Sequence, residues 1–175
     1  MTFSLPPPFE TALTELAVGL DGAGLDWVVS GSTARALLGF SVTPQDLDIE
    51  VAEDVMHAAA VCLGLVEHSE RDTRVTSLRA QGTWQGVPVD VNGGLTFHGP
   101  GGNLHADYPL LRLFAKPVRV GERTVWVAPV EEQIARSVVA GAADRLDRIA
   151  DERPAEYIVD DLYLSLRLAA ASASR

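Results

Sequence analysis

WVVSGSTARALLGFSVTPQDLDIEV, residues 27–51, is the stretch around which the rest of the chain can be read. Trp27-Val28-Val29 is a short apolar run of the kind that forms a buried strand, and it breaks abruptly into Ser30-Gly31-Ser32. Thr33 to Leu38 is rich in helix formers and closes on Gly39, a residue suited to a left-handed cap, so the small residues fall at a strand-to-helix turn. Such a turn offers bare N–H groups and the Ser32 hydroxyl to an anion, with no bulky side chain in the way. Further on, acids alternate with apolar residues in Asp46-Leu47-Asp48-Ile49-Glu50-Val51. On a strand the three acids share one face and the three apolar residues the other. Neighbouring carboxylates beside a phosphate cradle suit a pair of magnesium ions carrying a nucleoside triphosphate.

An apolar residue, Gly-Ser, a spacer and then acid-apolar-acid on a strand resembles the nucleotidyltransferase superfamily of DNA polymerase β type, especially its small bacterial and archaeal members. That family has a third carboxylate on a later strand, and Val87-Pro88-Val89-Asp90-Val91 supplies a matching Asp90. The resemblance implies an α/β (α+β) fold: a short mixed β-sheet with packed helices, a core over residues 1–128 and a C-terminal helical segment over 129–175. It also implies magnesium-dependent transfer of a nucleoside monophosphate from a nucleoside triphosphate such as ATP to an acceptor hydroxyl, with release of pyrophosphate. Asp46, Asp48 and Asp90 would hold two magnesium ions, Asp90 would take the hydroxyl proton, and Ser30, Gly31 and Ser32 would position the triphosphate. The acceptor is left open among an antibiotic-like small molecule, a protein side chain and an RNA end. In the similar small enzymes a lysine after the post-proline helix start approaches the phosphates; this chain has Ala135-Arg136-Ser137 there, and no lysine. Asp160 and Asp161 resemble a family Asp near the domain's end, although helix-face charges explain them equally well. Two other readings stand beside the enzyme: a toxin–antitoxin or regulatory component that uses the fold to bind a partner protein, and a nonenzymatic nucleotide-binding domain.

Length and composition bound these readings. The chain has 175 residues, enough for one domain of ordinary size with a small helical appendage, and 47% apolar content can fill its core. A formal net charge of −10 argues against strong nonspecific binding to nucleic acid, which depends on many cations meeting phosphates. Cys62 is the single cysteine, so no internal disulfide forms, and no spacing fits structural zinc. The expectation is a cytoplasmic protein with no membrane anchor, since no long apolar run or basic leader occurs. Among the fourteen basic residues, Lys116 is the lone lysine.

Around the central stretch the pattern predicts further elements. Pro6, Pro7 and Pro8 end an extended arm and start a helix with Phe9, Ala12, Leu13, Leu16, Ala17 and Leu20 on one face. Glu53 and Asp54 open a helix whose apolar face includes Val55, Ala59, Cys62 and Leu63; His57 and His68 read as surface residues. Strands over 74–80 and 87–91 are joined through 82–86 and carry Asp90 beside the Asp46 strand. Arg35, Arg71, Arg74 and Arg79 read as solvated charges. The glycine-rich segment 96–108, with His98, His105 and Asp107, reads as an irregular cover over the cleft. A short helix over 110–115 and a hairpin over 118–127 follow. A helix after Pro129 should show Ile134, Val138 and Ala142 on one face, and 145–152 should be charged and exposed. A last helix from Pro154 should carry Ile158, Leu162, Leu166 and Ala169 as its stripe.

Overall fold

The structure is a computed structural model that describes residues 5–174. The arm expected before Pro6 falls mainly on residues 1–4, outside the described part. α1 (Pro7–Gly22) has proline in its first turn, where a missing N–H costs nothing, and it buries Ala12, Leu13, Leu16, Ala17 and Leu20 in the main core. β1 (Val28–Val29), α2 (Gly31–Leu37) and β2 (Leu47–Val51) reproduce the strand, turn, helix and acidic strand read from the central stretch. A 3-10 turn (Glu53–Val55) leads into α3 (Met56–Leu63), closed by Gly64 in the left-handed region.

β3 (Val66–Arg71), β4 (Val75–Trp84), β5 (Val87–Gly99) and β6 (Gly102–His105) follow, then α4 (Tyr108–Phe114) and the hairpin β7 (Lys116–Val120) and β8 (Arg123–Val127). Three helices end the described chain: α5 (Val130–Ala140), α6 (Ala143–Glu152) and α7 (Asp161–Ala173). The eight strands form one mixed sheet in the order β3-β4-β5-β2-β1-β8-β7, with β6 paired to β5. β1 runs antiparallel to β2 and parallel to β8, while β2 runs parallel to β5 with Asp48 opposite Asp90. Alternation along β2 and β5 sends Leu47, Ile49, Val51, Val89 and Val91 into the main core. The acids are left on the other face.

Several expectations are corrected by this arrangement. The link between β4 and β5 is two residues, Gln85 and Gly86, both at positive φ as the twist of a tight hairpin demands, rather than five. The segment over 96–108 is no irregular cover: Thr96 pairs with His105 and Phe97 with Leu104 in the β5–β6 ladder. Its glycines mark close packing instead, since a Cβ on Gly99 would lie 2.1 Å from the Val139 carbonyl oxygen of α5. His98 is hydrogen-bonded to Thr76 and Asn103, His105 to Thr96, and Asp107 caps α4 by accepting from the Leu110 N–H. β3 has no counterpart in the sequence reading.

The C-terminal helices differ most. α7 begins at Asp161, with the Asp160 side chain accepting from the Tyr163 N–H, and its buried face is Tyr163, Arg167 and Ala171. Ile158, Leu162 and Leu166 are 84%, 62% and 43% exposed. On α5 the buried set is Val130, Glu131, Glu132, Ala135, Arg136, Ser137 and Val139, while Val138 is exposed. The reason is ionic packing. Arg167 bonds Glu132 through Nε at 2.6 Å and Nη2 at 2.9 Å, and the Tyr163 hydroxyl donates to the same carboxylate at 2.8 Å. Burial favours the neutral form of Glu132, but Arg136 and Arg167 outweigh it and hold the carboxyl below its ordinary range. Among the described residues no helix is long and apolar enough to cross a membrane.

Candidate active site

The polar face of the sheet forms the floor of a cleft of about 540 Å3 that all six expected site residues line: Ser30, Gly31, Ser32, Asp46, Asp48 and Asp90. Its position follows from the backbone. The Ser30 N–H donates to the Asp48 carbonyl at 2.8 Å, and the Thr33 hydroxyl donates to the Asp46 carbonyl at 2.7 Å, so the small-residue turn and the acidic strand are pinned together. Gln133 of α5 donates to the Gly31 carbonyl at 3.0 Å and braces the turn from outside. The first N–H groups of α2 have no acceptor within the helix.

Gly31 is required twice over. It sits at φ +61°, and a Cβ there would fall 1.7 Å from Asp48 Oδ2. The Asp48 carboxylate therefore rests against the turn, in the space a side chain would fill. Gly31→Ala should lower the unfolding free energy by on the order of 1–3 kcal/mol and displace Asp48. Chemical denaturation of the two proteins checks this; an alanine variant of wild-type stability would show that the contact is not fixed.

Across the floor the side chains form two rows set by strand register. Gln81 on β4, Asp90 on β5 and Asp48 on β2 make one row; Arg79, Asn92 and Glu50 make the next. Asp90 is heavily engaged. Arg79 Nε donates to both of its oxygens at 2.8 Å, Arg79 Nη2 donates to Oδ2, and Gln81 and Asn92 add bonds at 3.3 and 3.2 Å. Glu50 is gripped in a fork by Arg136, at 2.7 Å on each oxygen. Arg136 also reaches Glu132 at 2.9 Å. Burial works against its charge, but Glu50 and Glu132 raise its pKa above the ordinary arginine range.

Among the described residues no cation is hydrogen-bonded to Asp46 or Asp48, and Arg79 lowers both only from a distance. Burial first, then repulsion from Asp46, Asp90 and Glu50, pushes the Asp48 carboxyl up to about 7. Asp46 is raised too, by burial and then by Asp90. Two carboxylates held close to one another at such cost are a fit for a divalent cation. Among the described residues no group of three or more His, Cys, Asp and Glu is arranged to hold a metal ion. Magnesium, however, is commonly held by one or two carboxylates with water and substrate phosphates completing its shell, so the pair Asp46 and Asp48 suits it.

Several residues of the cleft were read differently from the sequence. Arg35 is buried, with Nε 2.8 Å from Glu152 and Nη1 bonded to Gln133, so it ties α2 to α5 and α6 rather than standing in solvent. Arg79 is on Asp90 rather than solvated, and Arg136 lies on the floor as the partner of Glu50. Arg145 and Arg148 of the exposed α6 line the cleft and make no ion pair with any described residue. One signal for Arg79 was available: with the turn centred on Gln85-Gly86, counting back along both strands puts Arg79 opposite Asn92 and Gln81 opposite Asp90.

Comparison with known proteins bears on the fold. No family model and no curated protein matches the chain. Among solved structures it is similar to TM1012 of Thermotoga maritima, itself a proposed nucleotidyltransferase, with a TM-score of 0.69 and 20% identity over 85% of this chain and 96% of that one. It is also similar to ANT(2″)-Ia, solved in complex with adenylyl-2″-tobramycin, with a TM-score of 0.57 and 14% identity over 94% of this chain and 97% of that one. The chain has a nucleotidyltransferase-like fold.

Proposed function

We propose that the cleft transfers a nucleoside monophosphate from a nucleoside triphosphate to an acceptor nucleophile and releases pyrophosphate. The observation that carries this reading is the pair Asp46 and Asp48, crowded, with no cation hydrogen-bonded to them among the described residues, and pinned beside the Gly31–Ser32 turn. Asp46 and Asp48 would hold magnesium, which when bound neutralises phosphate charge and stabilises the charge that develops at the α-phosphate.

The chain's own groups supply the rest. The N–H groups of the turn and the Ser32 hydroxyl, which is buried with no partner among the described residues, belong to a turn that lines the cleft and would donate to phosphate oxygens. α2 has only seven residues, so these discrete donors matter more than its dipole. Arg145 and Arg148 lie on the same cleft as cations free to meet the triphosphate. They compensate for the lysine missing near Arg136, whose guanidinium is committed to Glu50 and Glu132. The likeness to an adenylyl-transfer complex of ANT(2″)-Ia supports the reading and makes a small hydroxylated molecule the first acceptor to try.

Incubation of the pure protein with magnesium and each of the four ribonucleoside triphosphates, with and without aminoglycosides, tests the proposal through pyrophosphate release and mass spectrometry of the products. Magnesium-dependent pyrophosphate release lost in Asp46→Asn is the expected outcome. No release with any nucleotide, and no magnesium-dependent nucleotide binding, would overturn it.

A further inference from the structure

Four carboxylates stand on the cleft face of β2 and β5 or at the start of β2, and the chain has already supplied cations to two of them. Glu50 lies in the Arg136 fork, both groups being buried. Asp90, with its side chain 7% exposed, accepts from Arg79, Gln81 and Asn92, and Arg79 addresses both of its oxygens. A carboxylate has about four lone-pair positions, and the donors around Asp90 occupy them. No direction is left from which a metal ion can approach without first removing the guanidinium. Removal is opposed by burial, since a carboxylate stripped of its partner in a desolvated site is far costlier than the intact pair.

Resting on the reading that Asp46 and Asp48 take a divalent ion, we propose that Arg79 occupies the position of a second cation, so that this cleft binds one divalent ion per chain and Asp90 is an arginine acceptor rather than a metal ligand. Arg79 is built for that place. It projects from β4 one row away from Asp90, and its side chain is 26% exposed while that of Asp90 is 7% exposed, so the guanidinium closes the carboxylate off from the cleft's solvent. Asn92 and Gln81, its neighbours in the two rows, donate to the same carboxylate and fix its plane. Arg79 also carries a positive charge that no change of pH in the physiological range removes. Asp46 and Asp48, by contrast, have no arginine hydrogen-bonded to them among the described residues, so theirs is the position open to a dissolved ion.

The test is a Mn2+ titration of the metal-free protein in about 0.15 M salt, enough to screen diffuse attraction to the acidic surface, with free Mn2+ read by electron paramagnetic resonance. The wild type should bind one Mn2+ per chain, and Asp48→Asn should bind none. Arg79→Gln, which uncovers Asp90 and removes the resident cation, should bind two. Asp90→Asn should still bind one, which keeps the proposal open to refutation even if Arg79→Gln fails to fold by circular dichroism. Two ions on the wild type, or none on Asp90→Asn, overturns the role of Arg79 while leaving the Asp46–Asp48 pair intact. A folded Arg79→Gln that still binds one ion does the same. No ion on the wild type or on Arg79→Gln overturns both this inference and the metal reading beneath it.

Discussion

Asp48→Asn is expected to leave the melting temperature of the metal-free protein unchanged or to raise it, while nucleotidyl transfer falls by about a hundredfold or more. Asparagine keeps the shape that fits against Gly31 but removes the charge that burial, Asp46, Asp90 and Glu50 oppose. The sign follows from linkage. In the unfolded chain Asp48 ionises near 3.8, and in the folded chain at about 7. Between those values the folded state holds the proton and the unfolded state does not, so rising pH steadily favours unfolding until about pH 7, above which the cost is constant. The stability of Asp48→Asn relative to wild type should therefore grow from about pH 4 to pH 7 and then level off, by an amount on the order of 2–4 kcal/mol at the plateau. Thermal melts of both proteins across that range, with metal removed, measure the difference directly. Adding magnesium and a triphosphate should then raise the melting temperature of the wild type alone. A variant that melts markedly lower at pH 8 and still responds to the ligands would mean that Asp48 is a structural acid.

Arg136→Met should produce the largest loss of stability, about 3–5 kcal/mol, because it leaves Glu50 buried with its partner gone and takes from Glu132 one of its two arginines. Methionine fills similar space and so isolates the charge from the packing. Urea denaturation should show a lower midpoint at an unchanged slope. The position is informative because the resembling enzymes carry a phosphate-contacting lysine in this neighbourhood. If Arg136 served the phosphates instead, the same substitution would raise the KM for the triphosphate and barely move the midpoint. Arg136→Lys should recover only part of the lost stability, since an ammonium cannot bond both oxygens of Glu50 in one plane.

What the sequence disclosed is the backbone around the acids. Trp27 to Val51 shows its strand, turn, helix and strand because small residues interrupt an apolar run and acids then alternate with apolar residues. Asp90 is visible for the same reason, held between Val89 and Val91. What stayed hidden is who neutralises whom. Arg35 and Arg79 look like ordinary surface arginines, and Arg136 like a neighbour of a missing lysine, because a long side chain carries no mark of its partner, and Glu152, Asp90 and Glu50 lie on other elements. Hydrophobic periodicity misread α7 because its partner α5 offers Glu132 beside the apolar Ala135 and Val139, so Tyr163 and Arg167 turn inward and Leu162 and Leu166 outward. The glycines at 99 and 101 looked like punctuation. They are instead the places where β5 and its turn pass against the backbone of α5.

The parallel register that sets Asp48 beside Asp90 also orders events in time. β2 and β5 join residues some forty positions apart, and β1 meets β8 through Val29 and Val127, so these contacts close long loops and are slow to form relative to the local hairpins β4–β5 and β7–β8. Until β2 aligns with β5, Asp90 is remote from Asp46 and Asp48, and water weakens the repulsion between those two neighbours. The repulsion between Asp90 and the β2 acids enters when the two strands dock, and Arg79, carried in on the β4–β5 hairpin, arrives beside Asp90 and offsets part of its charge. A chain that folds in this sequence meets at the docking step the charges of Asp46 and Asp48 and the part of Asp90's charge that Arg79 leaves, which a dissolved divalent ion can relieve.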